Sequence, residues 1–450
     1  MIQLRVLSVD LFERHVTLRL PFRFGAATVT QCPQAFVRVQ IDVGGKHFEG
    51  ATAELMVPKW FDKSPALTHE QNFEQLRQAL RTAAQSYAST QGALSPYALS
   101  QSAGEAAIQT AVTHGLPRLA AQFGPALLDK TIADAALRAA GLGWVDGLKA
   151  HVLGDPFSRS LNIIKPMTVA LRHTVGLADR LTSSDAGTDP ADGLPATLEA
   201  AISFYGLHHF KLKLSGQLDA DIDRLSRISA VLDAQTSDYR VTLDGNESFA
   251  DAQALGEFWQ ALSHAPLAYS LLRRTLLLEQ PLPRRIALDA SIASLGIKVP
   301  VILDESDDHD DVLERGLALG YKGISSKACK GIYRAMHSAA RIAQDPLHLL
   351  LSGEDLTCQA GLAVQQDTLL AASLGINHIE RNGHHYVDGF GVAPEQEAQD
   401  FATAHQGFYT TAQGRTRLAV QAGQLDLTSL HTPGFASAAQ PLWDSLQPIT

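Results

Sequence analysis

Ionisable side chains recur in this sequence at the points where short apolar runs end. Runs such as "LKL", "VTLD", "LLLE" and "VILD" are typical of buried strands, and each ends at or beside such a residue. Consecutive members are separated by roughly 30 residues, the length of one strand–helix unit. The series consists of Lys213, Asp244, Glu279, Asp304, Lys327, Glu354 and Glu380. If these strands are neighbours in a closed parallel barrel, their carboxyl ends meet at one rim, where barrel active sites lie.

Three members of the series, Asp244, Glu279 and Asp304, are carboxylates from consecutive predicted strands. Converging carboxylates repel one another and raise each other's pKa unless a cation lies among them. A hard divalent ion with oxygen ligands, with Mg²⁺ as the first candidate, removes that conflict and keeps coordination positions open for a substrate. The alternative is that each acid caps a helix or pairs with an arginine.

Three lysines accompany these acids. Lys211 and Lys213 lie two residues apart in "FKLKL" and therefore point to the same face of their strand, which is predicted to be the barrel interior. Crowding beside another ammonium and a metal should lower the pKa of Lys213, as a base acting near neutral pH requires. Lys327 ends a strand four positions further round, on the opposite side of the rim. The pair Lys213 and Lys327 is thus predicted to handle one proton from opposite faces of a substrate carbon; the alternative is a pair of surface lysines.

The elements that must position these residues follow a clear pattern. Residues 1–55 predict strands with a hairpin turn at Gly44–Gly45, and residues 67–152, rich in Ala, Gln and Leu, predict several helices. From "KPMTVALRHTVG" onward, strands alternate with helices through "INHIER". This alternation predicts an α/β fold, a (β/α)₈-type barrel preceded by a separate α+β unit.

Composition restricts the class of protein. The chain has 450 residues, of which 45% are hydrophobic and 19% charged, which is typical of a globular protein with a large core. A formal net charge of −10 argues against nucleic acid or an anionic membrane as the main partner. Three cysteines without metal-ligand spacing, no signal-peptide core and no membrane-length apolar run favour a cytoplasmic protein.

Five short motifs, in this order and at this spacing, resemble the mandelate racemase/muconate lactonizing enzyme family of the enolase superfamily, and most closely its muconate lactonizing enzyme subgroup. They are "KLK" (211–213), "DGN" (244–246), "EQP" (279–281), "DES" (304–306) and "KACKG" (327–331). The stretch "LPFRFGAATVTQCPQAFVRVQIDVGGKHFEGATAEL" is similar to that family's N-terminal capping domain. "AGQLDLTSLHTPGF" resembles the segment that returns to the cap.

The resemblance implies a modified TIM barrel, (β/α)7β, with an α+β N-terminal capping domain. The implied boundaries are 1–160 for the cap, 161–395 for the barrel and 396–450 for the returning segment. Asp244, Glu279 and Asp304 would bind Mg²⁺, Lys213 and Lys327 would be the acid/base pair, and Lys211 would add positive charge beside the substrate carboxylate. We further expect substrate contacts, which we assign to Asn246, Glu354, Glu380 and Phe24.

The sequence also departs from the family pattern. "FEGATAEL" stands where many relatives carry Trp-Gly-Glu, and residues 60–130 are longer and more helical than the usual cap. "LHLLLSGED" ends without the histidine of the mandelate racemase type, and "HIERNGHH" lacks the Asp-x-Asp that grips a dipeptide amine. Specificity is expected in the capping loops around residues 20–35 and 50–65.

Together these features predict a Mg²⁺-dependent enzyme that removes a proton alpha to a carboxylate through an enolate. With a lysine on each face, racemisation or epimerisation is the simplest outcome, and a cycloisomerase or dehydratase of the same family is the alternative. A Schiff-base lyase using either lysine and a non-catalytic barrel protein are the other hypotheses. The expected partner is a small carboxylate substrate, and the oligomeric state, including a homo-oligomer, stays open.

Overall fold

The computed structural model describes residues 1–450 and contains fifteen strands and sixteen α-helices. The strands are β1 (Arg5–Phe24), β2 (Ala27–Val43), β3 (Lys46–Leu55), β4 (Thr168–Val175), β5 (His209–Lys213), β6 (Arg240–Asp244), β7 (Thr275–Glu279), β8 (Val301–Leu303), β9 (Gly323–Ser326), β10 (Leu350–Gly353), β11 (His378–Arg381), β12 (Tyr409–Ala412), β13 (Arg415–Leu418), β14 (Gln424–Asp426) and β15 (Gln447–Pro448).

The helices fall into a group that follows the first sheet and a group that alternates with the barrel strands. The first group is α1 (His69–Ser89), α2 (Pro96–Leu99), α3 (Glu105–Thr113), α4 (Arg118–Ala121), α5 (Phe123–Ala140) and α6 (Trp144–Lys149). The second is α7 (Leu198–Tyr205), α8 (Leu218–Gln235), α9 (Ala252–His264), α10 (Tyr269–Arg273), α11 (Arg284–Ala287), α12 (Val312–Ala318), α13 (Ile332–Ile342), α14 (Leu362–Ser373), α15 (Gly383–Tyr386) and α16 (Glu395–Ala404).

The N-terminal cap is an antiparallel sheet covered by helices. Strands β1, β2 and β3 pair in sequence order, and β2 turns into β3 at Gly44 and Gly45, both with positive φ. Helix α5 packs directly on β3. A Cβ atom at Gly50 of β3 would lie 2.1 Å from the Thr131 carbonyl oxygen of α5, so only glycine permits this close approach.

The barrel closes as predicted. Strands β4 to β11 are all parallel and pair in sequence order, and β11 pairs with β4 to complete the ring. A helix follows each of the first seven strands before the next strand begins. The prediction of a modified TIM barrel with an α+β cap is confirmed.

The segment after the barrel contacts both parts of the molecule. Strand β14 pairs antiparallel with the start of β4, and β15 pairs antiparallel with β1, with Glu13 opposite Gln447. Residues 396–450 therefore connect to the cap sheet and also extend the barrel sheet. The division of the chain at residues 160 and 395 stays a prediction.

Two global features bear on the class of protein. None of the helices is both long and apolar enough to pass through a lipid bilayer. The three cysteines, Cys32, Cys329 and Cys358, are buried and unpaired.

Candidate active site

The barrel brings the predicted ionisable residues to one rim. Lys213, Asp244 and Glu279 are the last residues of their strands, and register pairs Lys213 with Asp244 and Asp244 with Glu279 across adjacent strands. Asp304, Lys327 and Glu354 directly follow β8, β9 and β10, and Glu380 lies in β11. All seven are nearly or completely buried.

Asp244 and Asp304 are each held by lysine ammonium groups. The Nζ atoms of Lys213 and Lys211 lie 2.6 and 2.9 Å from Asp244. Lys327 Nζ lies 2.5 Å from Asp304. Burial opposes ionisation of Asp304, but the Lys327 ammonium outweighs it and holds the pKa of that carboxyl well below its usual range. These two carboxylates are therefore ionised and neutralised by neighbouring lysines.

Glu279 is fully buried and is paired with Lys211 alone. Lys211 Nζ lies 2.6 Å from its Oε2, and no hydrogen bond reaches the other oxygen, Oε1. Burial and repulsion from Asp244 and Glu354 hold its pKa well above the ordinary value. A buried carboxylate crowded by other acids is an arrangement that a further cation relieves, so the donor set fits Mg²⁺.

The oxygen atoms of Asp244, Glu279 and Asp304 do not all lie within 4.8 Å of one another. The potential ligand atoms of Asp355, Cys358 and Asp367 do lie that close together. Those two carboxylates are occupied by Arg381, at 3.4 and 2.8 Å, and by backbone N–H groups. We therefore regard that second group as an internal ion-pair network that supports the loop after β10.

Glu354 and Glu380 lie against Lys211 in the barrel interior. Lys211 Nζ donates to Glu354 at 2.5 Å and to Glu380 at 2.9 Å, and Arg172 of β4 also pairs with Glu354. Thr174 donates to Glu380 at 2.6 Å. Their carboxylates are thus engaged by protein donors, and contact with a substrate stays a prediction for both. For Lys211, burial opposes the charge, but the surrounding acids outweigh it and hold its pKa well above the ordinary value.

Lys213 and Lys327 line one small cavity of about 20 Å³ together with aromatic rings of the cap. The Lys213 ammonium lies 5.9 and 6.0 Å from the ring centroids of Phe22 and Phe24, and the Lys327 ammonium lies 4.5 Å from that of Trp60. Phe24 therefore lines the same cavity as the two lysines, and its contact with a substrate stays a prediction. Residues 20–35, however, form the tip of the β1–β2 hairpin and not an open loop.

The "DGN" turn connects Asp244 with the neighbouring rim loops through hydrogen bonds of Asn246. The backbone N–H of Asn246 donates to Asp244 at 2.8 Å, its side-chain amide donates to Glu305 at 3.0 Å, and its Oδ1 has no donor. Asn246 has a φ of 40°, a left-handed conformation that is uncommon for non-glycine residues and recurs at functional sites. A Cβ at Gly245 would lie 2.6 Å from Pro281 Cα, so glycine lets the loops after β6 and β7 pack together.

Several residues at the site did not follow from the sequence. Asn382 and Leu356 line the cavity, and Lys330 lies 3.5 Å from Asp304. Lys330 belongs to the "KACKG" motif, and Arg172 interrupts the apolar strand "VALRHTV", so both had a signal in the sequence. Asn382 directly follows β11 and Leu356 lies three residues after β10, and neither belongs to a pattern that would have marked it.

Several solved structures share this fold. A dipeptide epimerase from Cytophaga hutchinsonii, complexed with Mg and the dipeptide D-Ala-L-Val, aligns over 100% of this chain and 99% of its own, with a TM-score of 0.66 and 15% identity. This chain has the same fold as that epimerase. A 2-chloromuconate cycloisomerase from Rhodococcus opacus 1CP matches with a TM-score of 0.64 and 16% identity, covering 97% of each chain.

An enolase from Bradyrhizobium, complexed with magnesium and mandelic acid, also has this fold. It covers 98% of this chain and 97% of its own, with a TM-score of 0.63 and 18% identity. No protein-family model and no curated protein matches the sequence. The resemblance drawn from the five motifs is thus confirmed as a likeness of fold over the whole chain.

Proposed function

We propose that this protein is an enzyme of the enolase superfamily that uses Mg²⁺ to move a proton alpha to a carboxylate, and that it is a racemase or epimerase. The observation that carries the proposal is the placement of Lys213 and Lys327. They come from β5 and β9, four strands apart in the ring, and face the same small cavity. A carbon placed between them presents one face to each ammonium.

The residues would divide the reaction as follows. Lys213, after losing its own proton to solvent, would take the alpha proton from one face, and the C–H electron pair would pass into the substrate carboxylate to give the enolate. Lys327, as the ammonium, would deliver a proton to the opposite face, and the roles would exchange for the other enantiomer. Asp244, Glu279 and Asp304 would hold Mg²⁺, whose charge would stabilise the negative charge that develops on the carboxylate.

The protonation state of Lys327 supports its role as the acid. Burial opposes its charge, but the Asp304 carboxylate outweighs that effect and holds the Lys327 pKa well above the ordinary value. An ammonium in this position is ready to donate a proton to the enolate.

Polar atoms left without partners support a ligand-binding role over that of a scaffold. The indole Nε1 of Trp60 and the amide Oδ1 atoms of Asn246 and Asn382 are buried at this cavity and have no hydrogen-bond partner. Leaving such groups unsatisfied costs roughly 1–3 kcal/mol each, which a bound substrate can recover.

The proposal predicts Mg²⁺-dependent exchange of the alpha proton. Each enantiomer of a panel of acyl amino acids, hydroxy acids and sugar acids is incubated in D₂O with and without Mg²⁺, and loss of the alpha-proton NMR signal is followed. Lys213→Met should slow exchange from one enantiomer about 10²- to 10⁴-fold while exchange from the other persists, and Lys327→Met should do the reverse.

Lys322→Met is the matched control, because Lys322 is exposed and lies just before β9. It should exchange both enantiomers as the unaltered protein does. Equal loss of exchange from both enantiomers in both active-site variants would contradict the two-base arrangement. Exchange that does not depend on Mg²⁺ would contradict the role of the three carboxylates.

A further inference from the structure

A second and much larger cavity lies between the cap and the barrel, outside the site just described. Its volume is about 560 Å³, and its walls come from α5 of the cap and α13 of the barrel. The floor is one face of α5, formed by Pro125, Ala126 and Asp129, with Gln122 directly before the helix. Seven residues of α-helix rise about 10.5 Å, so Gln122 and Asp129 mark the two ends of an elongated floor.

Asp129 is a buried carboxylate without a cation. It is 7% exposed, and it accepts hydrogen bonds from the hydroxyls of Tyr87 and Ser100, both at 2.7 Å, while no lysine, arginine or histidine pairs with it. Burial raises the pKa of Asp129 to about 7. A carboxylate in this position gains from a positively charged neighbour, and the protein supplies none.

Two further buried polar atoms at this cavity lack a partner. Tyr333, which is 6% exposed, has a hydroxyl without any hydrogen bond. Gln122, which is 3% exposed, donates through Nε2 to the Asp308 carbonyl, but its Oε1 accepts nothing. Gln122 Oε1 is an acceptor, and a phenol oxygen also accepts, so both call for an N–H or O–H donor on the occupant.

The cations that line the cavity are already paired. Arg118 lies 3.1 Å from Glu105. Lys330 lies 2.8 Å from Asp307, and Arg334 lies 3.2 Å from the same carboxylate. Because these positive charges are neutralised inside the protein, they do not make the cavity an anion site.

Aromatic rings line the same cavity as the unpaired carboxylate. Tyr97 packs edge-on against Phe157 at 5.7 Å and against Tyr333 at 5.1 Å, and Phe157 lies 5.1 Å from His337. All four rings line the cavity. Aromatic faces attract organic cations, and a buried carboxylate beside them strengthens that preference.

We propose that this cavity binds an elongated organic cation, a diamine with one ammonium group at Asp129 and Tyr333 and the other at Gln122. The aliphatic middle of the molecule lies over Pro125 and Ala126. The site is separate from the Lys213–Lys327 cavity, and its occupancy does not depend on the proposed reaction.

The test is isothermal titration calorimetry of the full chain with cadaverine, whose two amines are separated by five carbons. We expect one binding event per chain, about tenfold weaker binding of pentylamine, which has one amine, and no binding of glutarate, an anion of similar length. Asp129→Asn should weaken cadaverine binding at least tenfold, and Tyr333→Phe should weaken it severalfold, with circular dichroism verifying that both variants are folded. If Asp129→Asn does not fold, the cadaverine affinity of Tyr333→Phe alone tests the proposal.

Two control variants show in which cavity cadaverine binds. Asp311→Asn removes an exposed acid at the rim of the same cavity, and Lys213→Met alters the other cavity; both should bind cadaverine within twofold of the unaltered protein. Failure of cadaverine to bind, tighter binding of glutarate, or unchanged binding in both Asp129→Asn and Tyr333→Phe would overturn the proposal. Equal weakening by Asp311→Asn would also overturn it, because rim charge alone would then explain the attraction.

Discussion

A carboxyl group that has no cationic partner works against folding when it ionises, and Asp129 is such a group. An aspartate in an unfolded chain has a pKa of about 3.9, whereas burial raises the pKa of Asp129 in the folded protein to about 7. Between these values the folded state binds the proton more tightly than the unfolded state. Stability from this group is therefore fully present below about pH 4 and is lost as the pH rises towards 7.

We predict that Asp129→Asn stabilises the protein relative to the unaltered chain at pH 8 but changes little at pH 4. The asparagine stays neutral, so the difference in the free energy of unfolding should grow with pH by roughly 1.4 kcal/mol per pH unit across this window. Urea denaturation at four pH values measures it, in the absence of any amine. The exposed Asp311→Asn serves as the control and should show no such trend; a flat difference for Asp129→Asn would refute the assignment.

At the scale of elements, the segment between β3 and α1 is held on the barrel rim by Arg284 of the barrel and by its own Lys63, whose ammonium lies 2.6 Å from Glu247. Arg284, the first residue of α11, donates to the backbone carbonyls of Trp60 and Phe61 at 2.8 and 3.0 Å. Glu247 orients this arginine through a two-pronged ion pair, at 2.8 and 3.0 Å. Since Trp60 covers Lys327, the contact controls access to one side of the proposed active site.

Arg284→Ala is expected to loosen this segment without unfolding the barrel. Hydrogen bonds from a charged donor contribute about 1.5–3 kcal/mol each, so amide hydrogen exchange in residues 57–63 should become at least tenfold faster. Mass spectrometry of peptic fragments reports this directly. Arg285→Ala, at the exposed neighbouring position, should leave exchange unchanged, and identical protection in both variants would show that the arginine does not hold the segment.

Much of this architecture follows from the sequence because barrel strands are buried on both faces. Runs such as "LLL" (276–278) and "VIL" (301–303) are continuously apolar, and the acid that follows each run marks the rim. The contact between Arg284 and Trp60 joins residues 224 positions apart, and no periodicity records it. The large cavity likewise depends on how α5 of the cap sits against α13 of the barrel, a tertiary relation that local patterns do not contain.

At the scale of the whole molecule, the segment after the barrel is a strap over both parts. Strand β15 covers the middle of the edge of β1, opposite Phe12 and Glu13; Ile449 N–H donates to the Leu11 carbonyl at 2.9 Å, and Trp443 packs against Phe12 at 5.5 Å. An uncovered edge strand is a template for pairing with another chain. The strap therefore protects the cap sheet as well as fastening it.

We predict that a variant ending at residue 442 keeps the barrel but self-associates. Loss of the β15 pairing and of Trp443 packing leaves β1 as an open edge, so light scattering should show oligomers that grow with concentration. Its thermal unfolding midpoint should also fall by several degrees. A variant that lacks only residue 450 is the comparison and should match the unaltered chain; a stable, non-associating variant ending at 442 would contradict the protective role of the strap.

The order of the elements along the chain also affects folding during synthesis. Strands β1 to β3 lie within residues 5–55 and are made before the barrel, yet the middle of the β1 edge is covered only after residues 447–448 have been made. Strand β4 likewise lacks two of its partners, β11 and β14, until those strands have been made. During synthesis of the barrel the nascent chain therefore carries incompletely paired strands, and we expect it to depend on holding chaperones until β15 has been made.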